Sequence, residues 1–205
     1  MFKYMISQFE KPRGLFGKFL SFIMNISNVR MNNYIIKSIE PSEMNILEIG
    51  YGNGQTIIKL SKKCKMANCK MANIYGVDIS PDMYELASNK IKNLKIESNV
   101  NLTVGDTSNL QYKDNFLDII YTTDTCYFWN NPEQVLKEIY RTLKEGGQFI
   151  NAYNQLYAKS ISICKKESNK IYTNEELIKT ATKVGFKVIK TKKIDFIQSI
   201  IIFNT

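Results

Sequence analysis

The sequence contains no histidine. That single absence removes serine–histidine and cysteine–histidine nucleophilic pairs, histidine-based zinc motifs and imidazole general bases. Proton transfer must rely on Asp, Glu, Tyr, Lys, Cys or water. Long apolar runs are also missing: nothing approaches the ~20 residues needed to span a bilayer. The stretch "GLFGKFLSFIMNI" (14–26) is interrupted by Lys18 and carries no A-x-A-like cleavage site, so a cytoplasmic protein with reduced cysteines is expected. Cysteines are few: Cys64, Cys69, Cys126 and Cys164. Cys64 and Cys69 fall in a five-residue word written twice, "CKMANCKMAN". With C-x₄-C spacing, no second ligand pair and no imidazole, no metal is expected there.

What is present is ordinary for a soluble domain of 205 residues, with a net charge of +9. The excess lysine is scattered rather than striped, which reads as a solvated surface and disfavours nucleic acid. From Met44 onward, short β-like runs alternate with longer helical ones. The strand candidates are 44–50, 73–79, 99–105, 116–123 and 147–153, then 186–194 and 196–204, whose short link predicts an antiparallel hairpin. Helices are punctuated by Ser80-Pro81, Asn131-Pro132 and the capping box Thr173…Glu176, with expected stops at Gly146-Gly147 and Gly185. This pattern predicts an α/β fold: one seven-stranded, mostly parallel sheet (44–205) with helices on both faces, preceded by a helical segment (1–43).

The densest chemistry lies in "ILEIGYGNG" (46–54), a strand running into Gly50, Gly52 and Gly54 with a helix behind it. Bare backbone there allows a sharp turn and close approach of a ligand. The next strand ends in "YGVDIS", placing Asp78 where a carboxylate can accept both hydroxyls of a ribose; a tight turn with a helix-capping aspartate is the alternative. The spacing is G-x-G-x-G, not the G-x-G-x-x-G of dinucleotide sites. Glu48 stands two residues before the first glycine, where it would repel a pyrophosphate but welcome an ammonium and a sulfonium.

On these residues the chain resembles class I S-adenosylmethionine-dependent methyltransferases, a small type 11-like member. "ILEIGYGNG" is similar to the family's first motif and "YGVDIS" to its acidic second motif. "VGDTSNL" (104–110) and "FLDIIYTTDTCYFWNNPEQVLKEIYRTLKEGGQF" (116–149) resemble the segments that follow. The resemblance implies a Rossmann-like methyltransferase domain with S-adenosylmethionine as cofactor. Glu48, Gly50, Tyr51, Gly52 and Gly54 would surround the methionine portion, and Asp78 the ribose. Ile79 would pack on the adenine, Asp106 and Thr107 would meet its amine, and Thr123 would face the methyl-donor end. Strand-end turns are the alternative for Asp106 and Thr123. Gly54 and Asp78 are 24 positions apart, against about 20 in related loops. The repeated word is therefore expected to be an insertion in the loop between the first helix and the second strand, away from the ligand.

Where many relatives carry a histidine, this chain has Tyr127 and Phe128. A general base is needed only when the acceptor arrives protonated, so Asp124 and Tyr127 are the catalytic candidates, with Trp129 as an aromatic wall. Packing, for Tyr127, Phe128 and Trp129, and a surface turn, for Asp124, are the alternatives. "TTDT" stands where amino-methylating nucleic-acid enzymes carry N-P-P-Y. A small-molecule methyl acceptor is therefore expected. The leading segment reads as a lid, or as an amphipathic helix through which Lys3, Lys11, Arg13 and Lys18 would touch anionic lipid; with 154–172 it would set the substrate. The corresponding alternatives are a membrane-associated methyltransferase acting on a phospholipid amine or quinone precursor, and a non-catalytic cofactor-binding module.

Overall fold

The computed structural model describes residues 7–40, 42–67, 72–164 and 173–205, with backbone alone for 160–164. Lys3, Cys69, most of the second copy of the repeated word, the Cys164 side chain and residues 165–172 lie outside it.

Strand β1 (Asn45–Ile49) sends Ile46 to one face and Leu47 and Ile49 to the other, all three buried. A strand buried on both sides needs helices above and below, the condition for a parallel sheet. β2 (Asn73–Asp78), β3 (Val100–Val104), β4 (Leu117–Thr123) and β5 (Leu143–Asn154) join it in parallel. β6 (Lys187–Lys193) and β7 (Gln198–Asn204) close the sheet as the expected antiparallel hairpin, giving the order β3-β2-β1-β4-β5-β7-β6. The outermost strand, β6, is exposed along its length and rich in lysine, which discourages edge-to-edge pairing.

Helices α1 (Gly14–Ser27), α2 (Val29–Ser38), α3 (Gln55–Met66) and α4 (Pro81–Asn93) precede β3. α5 (Pro132–Thr142), α6 (Gln155–Cys164) and α7 (Asn174–Val184) follow. On one face, Met31 and Ile35 of α2, Ile57, Leu60 and Cys64 of α3 and Ala87 and Ile91 of α4 cluster with Ile46, Ile74 and Tyr121. On the other, Val135, Leu136 and Ile139 of α5 and Leu177 and Ala181 of α7 meet Leu47, Ile120, Phe149 and Phe203. α2 is thus core, whereas α1 is largely exposed.

The helix starts are as expected: Ser80 Oγ accepts from Met83 N–H, Asn131 Oδ1 from Gln134 N–H, and Thr173 and Glu176 form the reciprocal box. Two boundaries differ. α5 stops at Thr142, not at Gly146, because the carbonyls of Arg141 and Thr142 accept from Asn115 and Phe116 N–H and so begin the ladder with β4. The repeated word is not wholly loop, either. α3 runs to Met66, and Cys64 falls on its buried stripe with Ile57 and Leu60, so the first copy extends the helix into the core.

Because Ile35 is fully buried against the sheet-side cluster, Ile35→Ala should cost about 2–5 kcal/mol. At this chain length that lowers the melting temperature by roughly 4–20 °C. A melt unchanged by calorimetry would show α2 to be an appendage.

Candidate active site

The order β3-β2-β1-β4 reverses direction between β1 and β4, and a crevice opens there beyond the strand ends. This is where open parallel sheets bind ligands. β1 runs into Gly50, Gly52 and Gly54, all at positive φ. Gly52 N–H donates to Asp78 Oδ2 at 2.8 Å and Ser80 N–H to Asp78 Oδ1 at 2.9 Å, so one carboxylate at the end of β2 holds the loop after β1. Burial pushes the Asp78 carboxyl up, opposed by these N–H donors. Gly52 has φ +51° and nothing within 4 Å of an added Cβ. It lines the crevice as bare backbone. Gly54 serves packing instead. It is not on the crevice wall, and a Cβ there would come within 2.9 Å of Ala87 Cβ, so its small size lets α3 and α4 approach.

Glu48 is buried at the floor, where Tyr121 Oη donates to Oε2 at 3.0 Å. Burial raises its carboxyl well above the ordinary range; the Tyr121 hydrogen bond works against this, and the Asp78 charge adds to it. A cation entering here would reverse that balance and favour the carboxylate.

Along the β3 side the crevice is lined by Ile79, Asp106 and Thr107. Asp106 Oδ1 accepts from the Ser108 N–H and hydroxyl, both at 2.8 Å, capping the short turn Thr107–Asn109. The chain that follows is braced by Arg141, whose guanidinium donates to Leu110 O, Tyr112 O, Asp114 and Glu138.

The opposite wall follows β4. Thr123 Oγ1 donates to Asn32 Oδ1 of α2 at 2.9 Å. Asp124, a surface turn in one sequence reading, is instead buried at φ +57°, a left-handed conformation that aspartate tolerates better than most side chains. Its Oδ1 accepts from the Tyr127 hydroxyl, which in turn accepts from Asn154 N–H at 3.3 Å. Burial pushes the Asp124 carboxyl up to about 7, with the Tyr127 hydrogen bond pulling it down. Asp124 lines the crevice; Tyr127 stands behind it, in a cluster with Cys126 and Tyr153, while Phe128 and Trp129 reach the wall.

The roof comes from residues that the motifs did not indicate. Ser21, Met24 and Asn25 of α1 line the crevice, as do Asn28 and Asn32. The signal was available: Asn25, Asn28 and Asn32 are spaced 3 and 4 apart, the spacing that puts polar side chains on one helical face. Thr56, Gly105 and Thr125 also line the crevice. The roof is tied down beside Asp78, where Ser80 Oγ donates to Pro12 O at 2.5 Å and Gly14 N–H to Asp82 Oδ2 at 2.6 Å.

A glycine loop, an acid at the end of the next strand and a buried acid at the floor meet in one switch-point crevice, the kind of place where open parallel sheets bind nucleotide cofactors. The chain belongs to the methyltransferase-domain family, whose model matches residues 47–151. It is 33% identical over 117 residues to the ubiquinone/menaquinone biosynthesis C-methyltransferase UbiE of Rickettsia bellii, covering 56% of this chain and 46% of that protein. It is 27% identical over 128 residues to the methyltransferase YdaC of Bacillus subtilis, covering 62% and 66%. The chain therefore spans between about half and two thirds of these relatives' lengths. Its fold matches that of an S-adenosylmethionine-dependent methyltransferase from Aquifex aeolicus, with TM-score 0.69 and 19% identity over 86% of this chain and 92% of that one.

S-adenosylmethionine is the family's cofactor, and the crevice fits it. Gly52 leaves an open cradle, and Glu48 and Asp78 are buried acids for a cationic, hydroxyl-bearing ligand. Asn28 Oδ1, Asn53 Oδ1 and Asp124 Oδ2, all on lining residues, are buried without a hydrogen-bond partner among the described residues.

The raised carboxyl of Asp124 has a thermodynamic consequence. Its folded value near 7 exceeds the ordinary 3.8 of an unfolded chain. Its contribution is fully present below the unfolded value and is lost as pH rises through about 7. Thermal melts should therefore show Asp124→Asn gaining on the wild type from pH 5 to pH 8, with no further gain above. A constant difference across that range would mean that Asp124 titrates normally.

Proposed function

We propose that the protein transfers a methyl group from S-adenosylmethionine to a small-molecule acceptor whose reacting atom carries a proton. The observation that carries this reading is Asp124, a buried carboxyl on the crevice wall opposite the glycine loop, whose Oδ1 accepts from the Tyr127 hydroxyl while the nearby Asn28 side chain and Asn154 N–H also favour its ionised form.

In this reading the backbone around Gly50 and Gly52, with Tyr51, surrounds the methionine portion of the cofactor. Glu48 stabilises its positive charge, Asp78 accepts from the ribose hydroxyls, and Ile79, Asp106 and Thr107 flank the adenine. When bound, the cofactor supplies a sulfonium-activated methyl group. Thr123, on the crevice wall, would face the methyl-donor end. Asp124 would take the acceptor's proton as the acceptor atom bonds to the methyl carbon and that carbon's bond to sulfur breaks, the electron pair staying on sulfur as the neutral thioether of S-adenosylhomocysteine, and would later release the proton to water. Tyr127 acts through Asp124 as a positioning residue: its hydroxyl fixes one carboxylate oxygen and leaves the other to face the acceptor. α1, held by Ser80 and Asp82, serves as a lid that excludes water. Trp129 and Phe128 give the acceptor an aromatic wall. The similarity to a C-methyltransferase supports an acceptor that must lose a proton, since a carbon acid needs a base where a neutral amine does not.

Calorimetry with S-adenosylhomocysteine should give micromolar binding, weakened by about 10–100-fold in Asp78→Ala, from the loss of charge-assisted hydrogen bonds. A folded wild type that binds nothing would exclude the reading. With phenol and active-methylene acceptors, kcat/KM should climb with pH and level off above about 7, where Asp124 of the free enzyme is ionised. Asp124→Asn should remove that limb and lower the plateau by ~10²-fold or more. Retention of the limb in the variant would assign the base elsewhere.

A further inference from the structure

α1 has two faces of opposite use. Ser21, Met24 and Asn25 look into the crevice. Leu15, Phe16, Phe19, Phe22, Ile23 and Ile26 are exposed on its other side, Leu15 at 86%. Leu15, Phe19, Phe22 and Ile26 follow a 4-3-4 spacing, so they form one stripe along the helix. Soluble domains scatter single apolar residues over their surfaces; a continuous stripe of this size marks something that is normally covered. Phe196, at the β6–β7 turn, is also fully exposed. That turn is held against the α1–α2 junction by Arg30–Asp195 at 3.6 Å and by Gln198 Nε2 donating to Ser27 O at 3.0 Å.

The charge around the stripe indicates what covers it. Residues 11–39 contain Lys11, Arg13, Lys18, Arg30 and Lys37, flanked by Glu10 and Glu40; Lys11 faces Asp78 and Arg30 pairs with Asp195, leaving Arg13 and Lys18 as the charges carried by α1 and its N-cap, with no acidic residue on that helix. A second copy would bring the same positive field against itself, whereas an anionic surface is attracted by it. Among the described residues no helix is long and apolar enough to cross a membrane, so the geometry is that of a helix lying in an interface rather than spanning it.

We propose that the outer face of α1, with Phe196, seats the protein on an anionic lipid bilayer, and that the acceptor is an amphiphile drawn from that bilayer. The seating stands on the exposed face alone; the origin of the acceptor rests on the methyl-transfer reading above. With its apolar face in the lipid headgroup region, α1 becomes the partition between bilayer and crevice, about one helix diameter (~10 Å) thick. A lipid-soluble acceptor would then reach Asp124 without crossing bulk water.

The test is co-sedimentation with large unilamellar vesicles of phosphatidylcholine, with and without phosphatidylglycerol. Wild type should partition onto the anionic vesicles and bind the neutral ones more weakly. The double variant Phe19→Glu/Phe22→Glu, whose side chains do not line the crevice, should lose affinity for anionic vesicles by about tenfold or more, since it replaces inserted rings with charges of the repelled sign. S-adenosylhomocysteine calorimetry on the same variant reports whether it is folded, and should match the wild type. Wild type left in the supernatant at every lipid concentration would overturn the proposal, as would equal partitioning of the variant. It would also be overturned by sedimentation showing a wild-type dimer that the double substitution dissociates, because the face would then belong to a second copy. Vesicle binding without S-adenosylhomocysteine binding would uphold the seating and instead remove the methyl-transfer reading.

Discussion

The Asp78 carboxylate is the knot of the site. It terminates β2, accepts from the Gly52 amide of the neighbouring loop, and accepts from Ser80 at the start of α4. Ser80 in turn donates to Pro12 O, so the same few residues also anchor the segment leading into the roof helix. A carboxylate is suited to this because two oxygens can serve two donors and still present lone pairs to a ligand. Loop, acid and lid anchor are therefore one connected set of hydrogen bonds, and a change in any of them is felt by the others.

Around that knot the crevice collects acids and little opposing charge. Glu48, Asp78 and Asp124 are all buried, and burial lifts each carboxyl above its usual range. Burial thus disfavours the charged form of each, while the N–H donors on Asp78 work to keep that group a carboxylate. A cationic ligand would draw Glu48 toward the carboxylate, whereas Asp124, farther along β4, remains poised near neutrality. Environments that hold two acids at different set points allow one to act as a counter-charge and another as a base. In a chain without histidine, burial is the available means of placing a titration near pH 7.

The leading segment shows how one stretch of chain can be divided between core and surface. α2 gives Met31 and Ile35 wholly to the cluster under the sheet and Asn32 to the crevice. α1 gives the crevice a narrow polar stripe and solvent a broad apolar one, the reverse of what burial alone would select. The bilayer seating proposed above would give that outer face a non-aqueous neighbour.

By itself the sequence determined the order of elements, the hairpin, most helix starts and the position of the glycine loop. These depend on interactions between residues close along the chain: alternation, caps, and glycines at positive φ. Tertiary structure alone decided that Gly54 separates two helices rather than lining the crevice, and that Cys64 belongs to the core. It also decided that α5 gives way to β5 at Thr142, and that Tyr127 stands behind Asp124. Each of these is settled by a partner distant in sequence: Ala87 for Gly54, the sheet for Cys64, Asn115 and Phe116 for the end of α5, and Asn154 for Tyr127. Local pattern carries no information about which of several chemically suitable neighbours arrives. The packing of the sheet against its helices supplies it.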